Sequence, residues 1–376
     1  MNTRQSAGSF RRSIPAIAAV SVLGVVVVGG LWGGRGHVGT GSRTPPVDPA
    51  ISAASTATTI GQEVSAVPPT SMPSTNSTAA APLAAETSTI APSPEVTPQP
   101  WSGVAPSPLP GAGDWQVLAS VSGAPVIWGA TNQPIAGHPD ITASYAVFDP
   151  KRLHAALFNG TELPGGGPWN NGSAVMDTAT PSLVAAFNGG FLFKHINGGY
   201  FTEGTMVKPL IDGDATLGVG TNGELAIGVY GSEMTNDGSW VSLRQNLPPV
   251  VNGGREAVSA AAGSIYWGDN FGHVLLDFRS ALCRRSDGLL MYVVAGLVDI
   301  NGLANVLVTA HCDFAMELDI NGTWPQFVSF TQSGGNQPIP TALDTRMRHL
   351  SRYLTGSTKD FIALFDPTQL PANVVR

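Results

Sequence analysis

Two carboxylates stand two residues apart at the end of an apolar run, in Ala315-Met316-Glu317-Leu318-Asp319-Ile320-Asn321-Gly322-Thr323-Trp324. Side chains alternate along an extended strand, so Glu317 and Asp319 share a face. Such a pair suits acid/base or nucleophilic work at a glycosidic carbon, or an oxygen-ligand site for a hard cation. The structural alternative is a strand-end aspartate turning through Asn321-Gly322. A second feature is Phe187-Asn188-Gly189-Gly190-Phe191, where the apolar run 182–187 ends in an amide and two glycines. Glycines there let a neighbouring chain or a ligand approach the backbone, although Asn-Gly is also an ordinary turn signal. A third is Arg279, set inside the apolar run 274–282. A buried guanidinium needs a carboxylate or phosphate partner. An internal bridge to Asp277 or Asp319 would satisfy it as well as a ligand would.

The elements that must hold these groups are short. Runs at 115–120, 125–128, 143–148 and 153–158 alternate with Gly, Pro and Asn and predict strands. Segments 207–211, 215–219 and 225–230 are separated by Asp212-Gly213 and Asn222-Gly223, which predicts an antiparallel meander. Strand 241–246 carries Arg244-Gln245-Asn246, and Asn252-Gly253-Gly254 marks the next turn. Further strands are expected at 274–282, 289–295, 314–318 and 361–365. Leu303, Val306, Leu307 and Ala310 fall at helical spacing, predicting a helix over 303–311. Two loops stand out: 162–172, with three glycines beside Pro168 and Trp169, and the polar, aromatic 194–204. The fold class is α+β: a sheet-dominated single domain of many short, mainly antiparallel strands with a few helices.

That domain occupies residues 113–376. Residues 1–13 carry Arg4, Arg11 and Arg12 and no acid, and 14–32 run without a charge. As a helix, 14–32 would span about 28 Å, close to the hydrocarbon thickness, with its basic end cytoplasmic. It is therefore read as a transmembrane anchor, with a cleaved signal peptide as the rival. Residues 33–112 are rich in Pro, Ser, Thr and Ala and poor in aromatics, and predict a disordered linker. Either way the folded domain is expected outside the cytoplasm, anchored to the cell membrane or secreted. The formal net charge of −7, with only four lysines, excludes a basic nucleic-acid footprint. The two cysteines, Cys283 and Cys312, are free to form a disulfide in an exported domain or to stay as buried thiols. Neither has a CxxC neighbour, which argues against zinc. GxSxG, HExxH and Walker patterns are missing from the sequence, and the common hydrolase and NTPase classes lose support with them.

The order of these pieces resembles the phosphodiester glycosidase family, in its bacterial exported branch. The residues that carry the resemblance are Phe187 to Phe191, Glu203-Gly204, Arg244 to Leu247 with Asn252-Gly253, Arg279 to Leu282, and Leu303 to His311 followed by Met316 to Asp319. It spans 143–365. The resemblance implies a hydrolase of sugar-1-phosphate diesters in cell-envelope glycans; no cofactor or metal ligand is singled out, and metal dependence stays open. It implies that Asn188 orients substrate hydroxyls and the leaving oxygen, and that Arg279 neutralises the phosphate through its planar fork. Asp319 would be nucleophile or general base, with Glu203 and Glu317 as candidates for a second carboxylate. Gly189, Gly190, Arg244, Asn252, Asn321 and Trp324 complete the implied substrate-binding set. The chain departs from the family where Asp-Gly-Gly-Gly-Ser is replaced by Asp319-Ile320-Asn321-Gly322-Thr323. There Asn321 offers a side-chain amide and Trp324 a face for stacking a sugar. A non-catalytic glycan-binding or biosynthesis-accessory module on the same scaffold is the alternative.

Overall fold

The computed structural model describes residues 106–258, 266–268, 276–334 and 337–376. All of them fall in one compact unit, Thr89–Arg376. The expected tail, anchor and most of the linker lie outside the described residues. Among those described, no helix is long and apolar enough to cross a membrane.

Strands β1 (Gln116–Val121), β2 (Ala124–Asn132) and β3 (Ala143–Phe148) come first, then β4 (His154–Phe158) and β5 (Leu183–Asn188). A middle set follows: β6 (Tyr200–Thr202), β7 (Thr205–Lys208), β8 (Ala215–Gly220), β9 (Leu225–Val229) and β10 (Trp240–Gln245). The small hairpin β11 (Val251–Asn252) and β12 (Arg255–Glu256) leads to the long strands β13 (Asp277–Arg285), β14 (Leu290–Val298) and β15 (Cys312–Ile320). Helix α1 (Ile300–Thr309) joins the last two. Strands β16 (Phe327–Thr331) and β17 (Ile339–Ala342), the single-turn helix α2 (Arg352–Thr355) and β18 (Phe361–Phe365) close the chain.

These strands form three antiparallel sheets, as expected of a sheet-dominated α+β domain. The large one runs β1-β2-β3-β14-β13-β15-β11-β12, the second β7-β6-β10-β8-β9 and the third β17-β16-β5-β18-β4. Alternation divides the large sheet's side chains between two cores. Met291, Val293 and Ala295 of β14 pack with Leu303, Val306 and Leu307 of α1. Leu290, Tyr292 and Val294 face a second core with Phe187, Leu217, Phe327 and Leu364 from the other two sheets. Strands β3, β5 and β18 are buried along their whole length, which is why their sequences are apolar without alternation.

Five details differ from, or settle, the sequence reading. The helix starts at Ile300, three residues early, because Asp299 caps it by accepting from the Gly302 N–H at 2.7 Å. The strand expected at 274–282 begins at Asp277 and continues to Arg285, until the Asp287-Gly288 turn lets it reverse. Asn222-Gly223 does close a hairpin, β8 with β9. Asp212-Gly213 turns the chain but joins no paired strands, since β6 and β10 lie between β7 and β8. Cys283 and Cys312 form a disulfide between β13 and β15.

Candidate functional site

Strand β5 lies between β16 and β18 and ends at Asn188, opposite Phe361. The Asn188 amide ties three elements together. Its Oδ1 accepts from the Tyr292 hydroxyl and the Gln326 N–H, both at 2.8 Å. Its Nδ2 donates to Ser280 Oγ at 3.1 Å and to the Gly189 carbonyl at 3.0 Å. The next residue crosses from the third sheet to the large one. The Gly189 N–H donates to the Asp360 carbonyl at 3.0 Å, and its own carbonyl accepts from the Asp319 N–H at 2.9 Å. A Cβ on Gly189 would stand 2.3 Å from Asp360 Oδ2, and one on Gly190 would stand 2.8 Å from Asn246 Oδ1. Both glycines are there for close approach rather than for an unusual backbone angle.

Three buried ion pairs surround this crossing. Arg244 Nε donates to Asp360 Oδ2 at 2.8 Å, and Nη2 donates to the Phe191 carbonyl at 2.7 Å. The Arg244 guanidinium also lies over the Tyr200 ring, 5.5 Å from its centre. Asn246 completes this wall, accepting from the Phe191 N–H and donating to the Glu317 carbonyl. In the second pair, Arg279 Nη1 donates to Glu317 Oε1 at 2.7 Å. The guanidinium also donates to the carbonyls of Trp267, Gly268 and Val298. Burial pushes the Glu317 carboxyl up to about 7 against the opposing pull of Arg279.

The third pair joins Asp319 to Lys359. Asp319 Oδ1 accepts from the Ile320 N–H at 3.0 Å, and Ser280 Oγ donates to its carbonyl at 2.6 Å. A bulge in the β13–β15 pairing between Arg279 and Ala281 accompanies this crossing of contacts. Burial raises the Asp319 carboxyl to about 6, with Lys359 the largest influence in the other direction. Above the pair stands Trp324, half-buried, its ring centre 4.2 Å from Lys359 Nζ and 4.6 Å from the Arg352 guanidinium. Asn321 takes a φ of +81°, and its side chain accepts from the Thr323 N–H at 3.3 Å. Asparagine tolerates this left-handed backbone better than most residues, and the amide closes a local turn below Trp324.

No family model and no curated protein matches this chain. Its fold is similar to solved structures at a distance. One is the catalytic domain of zebrafish N-acetylglucosamine-1-phosphodiester alpha-N-acetylglucosaminidase, auto-inhibited by its pro-peptide. That likeness covers 67% of this chain and 87% of that one, with 15% identity and a TM-score of 0.42. A protein from Synechocystis matches over 64% of this chain and 62% of its own, at 10% identity and a TM-score of 0.42. An exported protein from Burkholderia pseudomallei K96243 matches over 65% and 76%, at 13% identity and a TM-score of 0.37.

Of the residues singled out in the sequence, Asn188, Gly189, Gly190, Arg244, Arg279, Glu317, Asp319, Asn321 and Trp324 come together around the crossing. Two do not join it. The Glu203 carboxylate accepts from the N–H groups of Asn170 and Asn171 at 2.7 and 2.8 Å, pinning the glycine-rich loop. Asn252 is exposed on the β11 hairpin and pairs with Phe314, five residues back along β15 from Asp319. At roughly 3.3 Å per residue that is about 16 Å away. Arg279 is engaged by Glu317, so its fork does not face outward as a phosphate ligand would need. Sequence reasoning missed Lys359 and Asp360, the partners of Asp319 and Arg244. The signal was Thr358-Lys359-Asp360 abutting a wholly apolar strand, since charges carried into a buried sheet require partners.

Proposed function

We propose that residues 113–376 form an exported, membrane-anchored hydrolase of sugar-1-phosphate diesters in cell-envelope glycans, with Asp319 as its working carboxylate. The observation that carries this reading is the Asp319–Lys359 pair beneath Trp324. A desolvated carboxylate, a cation and an indole face lie within one side chain's reach, next to backbone that two glycines hold close. A sugar ring stacks on Trp324, and its phosphate is met by Lys359 and Arg352. The phosphate draws Lys359 away from Asp319 and leaves that carboxylate free to attack the anomeric carbon or to take a proton from water. The anomeric C–O bond breaks and the phosphate monoester departs with its electron pair. A phosphate leaves readily, so little is asked of a general acid. Glu317, enclosed beside Asp319, is held by Arg279.

A glycan-binding module without catalysis is favoured by a different observation. The Asn188 amide, the Arg279 guanidinium and the Asp319 carboxylate each have protein partners. Incubating the full chain with sugar-1-phosphate diesters and assaying free sugar separates the two. Release by the wild-type chain that falls at least about 10³-fold in Asp319→Asn fits the hydrolase. Equal release by both removes Asp319 from the chemistry, and no release from any diester favours the binding module.

A further inference from the structure

Beside the candidate site lies a second cavity of about 350 Å³, lined by Phe193, Ile211, Asp214, Asn246, Leu247 and Tyr266 among others. That volume is at the lower end of the range of about 300–1,000 Å³ usual for small-molecule sites. Asp214 precedes β8, and its backbone is held by Ile211, Tyr230 and Thr216. Its side chain is different. The residue is only 9% exposed, and among the described residues no group donates a hydrogen bond to its carboxylate. Its two oxygens therefore keep lone pairs open toward the cavity, where the donors of a ligand can replace water. Burial drives its carboxyl up to about 6, with Lys208 acting in the opposite direction.

We infer that this cavity is a saccharide subsite, taking a neutral pyranose whose adjacent hydroxyls donate to the two oxygens of Asp214. Three features select that chemistry. Tyr266 is 44% exposed and stands edge-on to Trp267, offering an aromatic face at the cavity. Lys194 lines the cavity and Lys208 acts electrostatically on Asp214, which disfavours a cationic ligand, while Asp214 disfavours an anionic one. Lys208 is also fixed in place, donating to the Ile196 carbonyl at 2.7 Å and lying 5.2 Å from the centre of the Phe193 ring. The wall is thus built before any ligand arrives. Asn246 ends the cavity, and the same side chain holds the Phe191 N–H and the Glu317 carbonyl. A sugar bound here sits one side chain away from the Asn188-Gly189-Gly190 turn. The subsite requires no hydrolysis at Asp319.

The test is direct binding of the methyl glycosides of glucose, galactose, mannose and N-acetylglucosamine to the full chain, by saturation-transfer NMR and calorimetry. At least one glycoside is expected to bind. Asp214→Asn preserves the shape and is expected to weaken it about tenfold, as is Tyr266→Ala, while Asp319→Asn leaves it unchanged. Thermal melting of each variant reports folding, and Asp214→Asn should melt no lower than wild type because no hydrogen bond to the carboxylate is lost. Absence of binding by all four glycosides overturns the inference, and so does equal affinity in wild type and a folded Asp214→Ala. Sugar binding that survives while every diester resists cleavage would sink the hydrolase and keep the subsite.

Discussion

Arg244 Nε donates to Asp360 Oδ2 at 2.8 Å directly behind Gly189, whose missing side chain is what allows the pair to close. Both charged side chains are buried. The ion pair and the glycine are therefore one unit, and damage to either is felt by the other.

Gly189→Ala places a methyl group against a carboxylate oxygen and the Asp360 carbonyl at once. Chemical denaturation should show a loss of about 1–3 kcal/mol, the usual cost of overpacking. Arg244→Met, which leaves Asp360 buried without its cation, should cost more, about 3–5 kcal/mol. A Gly189→Ala variant as stable as wild type would mean that β5 and β18 separate without penalty.

Asp214, Asp319 and Glu317 all hold their protons more tightly when folded, at about 6, 6 and 7, than in the unfolded chain. Between each ordinary carboxylate value and the raised one, the unfolded state has lost the proton and the folded state has not. Stability from these groups is thus present at low pH and lost as pH rises through about 4 to 7. The melting temperature should be higher near pH 5 than near pH 8, and Glu317→Gln should flatten the upper part of that slope. A melting temperature that climbs from pH 5 to 8 contradicts the assignment.

Trp324 touches the site through Lys359 and Arg352 and carries no reacting atom. If the diester reading holds, Trp324→Ala should raise KM about tenfold with kcat little changed, the mark of a lost binding face. Lys359→Met should lower kcat as well, because the same cation meets the departing phosphate. A Trp324→Ala variant that loses kcat alone would place the indole in the chemistry instead.

The Cys283–Cys312 bridge closes a sequence separation of 29 residues between two long strands. Its loss should cost about 3–4 kcal/mol by the loop-entropy argument. Comparing denaturation of oxidised and reduced protein measures this. Coincident curves would show that the surrounding sheet holds this loop closed without the bridge.

What could be read from the chain was local. Alternation and turn dipeptides marked most strands, and the Asn188 turn stood out because an apolar run cannot end in Asn-Gly-Gly without consequence. Spacing of two placed Glu317 and Asp319 on one face, but the bulge in β15 sets Ile320 opposite Arg279 and Glu317 opposite Ala281, and the two carboxylates go to different cations. Long-range partnership was not legible. Arg279 and Glu317 are 38 residues apart, and Arg244 and Asp360 are 116 apart. No local rule decides whether a buried arginine meets a carboxylate or a ligand. Glu203 misled for the same reason, since a carboxylate gripping two loop N–H groups has the same sequence as one facing a substrate.

The three buried pairs around the crossing cancel: Arg244, Arg279 and Lys359 against Asp360, Glu317 and Asp319. Arg352, resting on Trp324, is a further cation at this place, outside the three pairs seen among the described residues. One positive charge matches the single negative charge of a phosphodiester. The phosphate monoester formed by its cleavage carries nearly two at neutral pH. A pocket balanced for the first is overfilled by the second, so for the proposed substrate the reaction itself supplies the repulsion that expels its product.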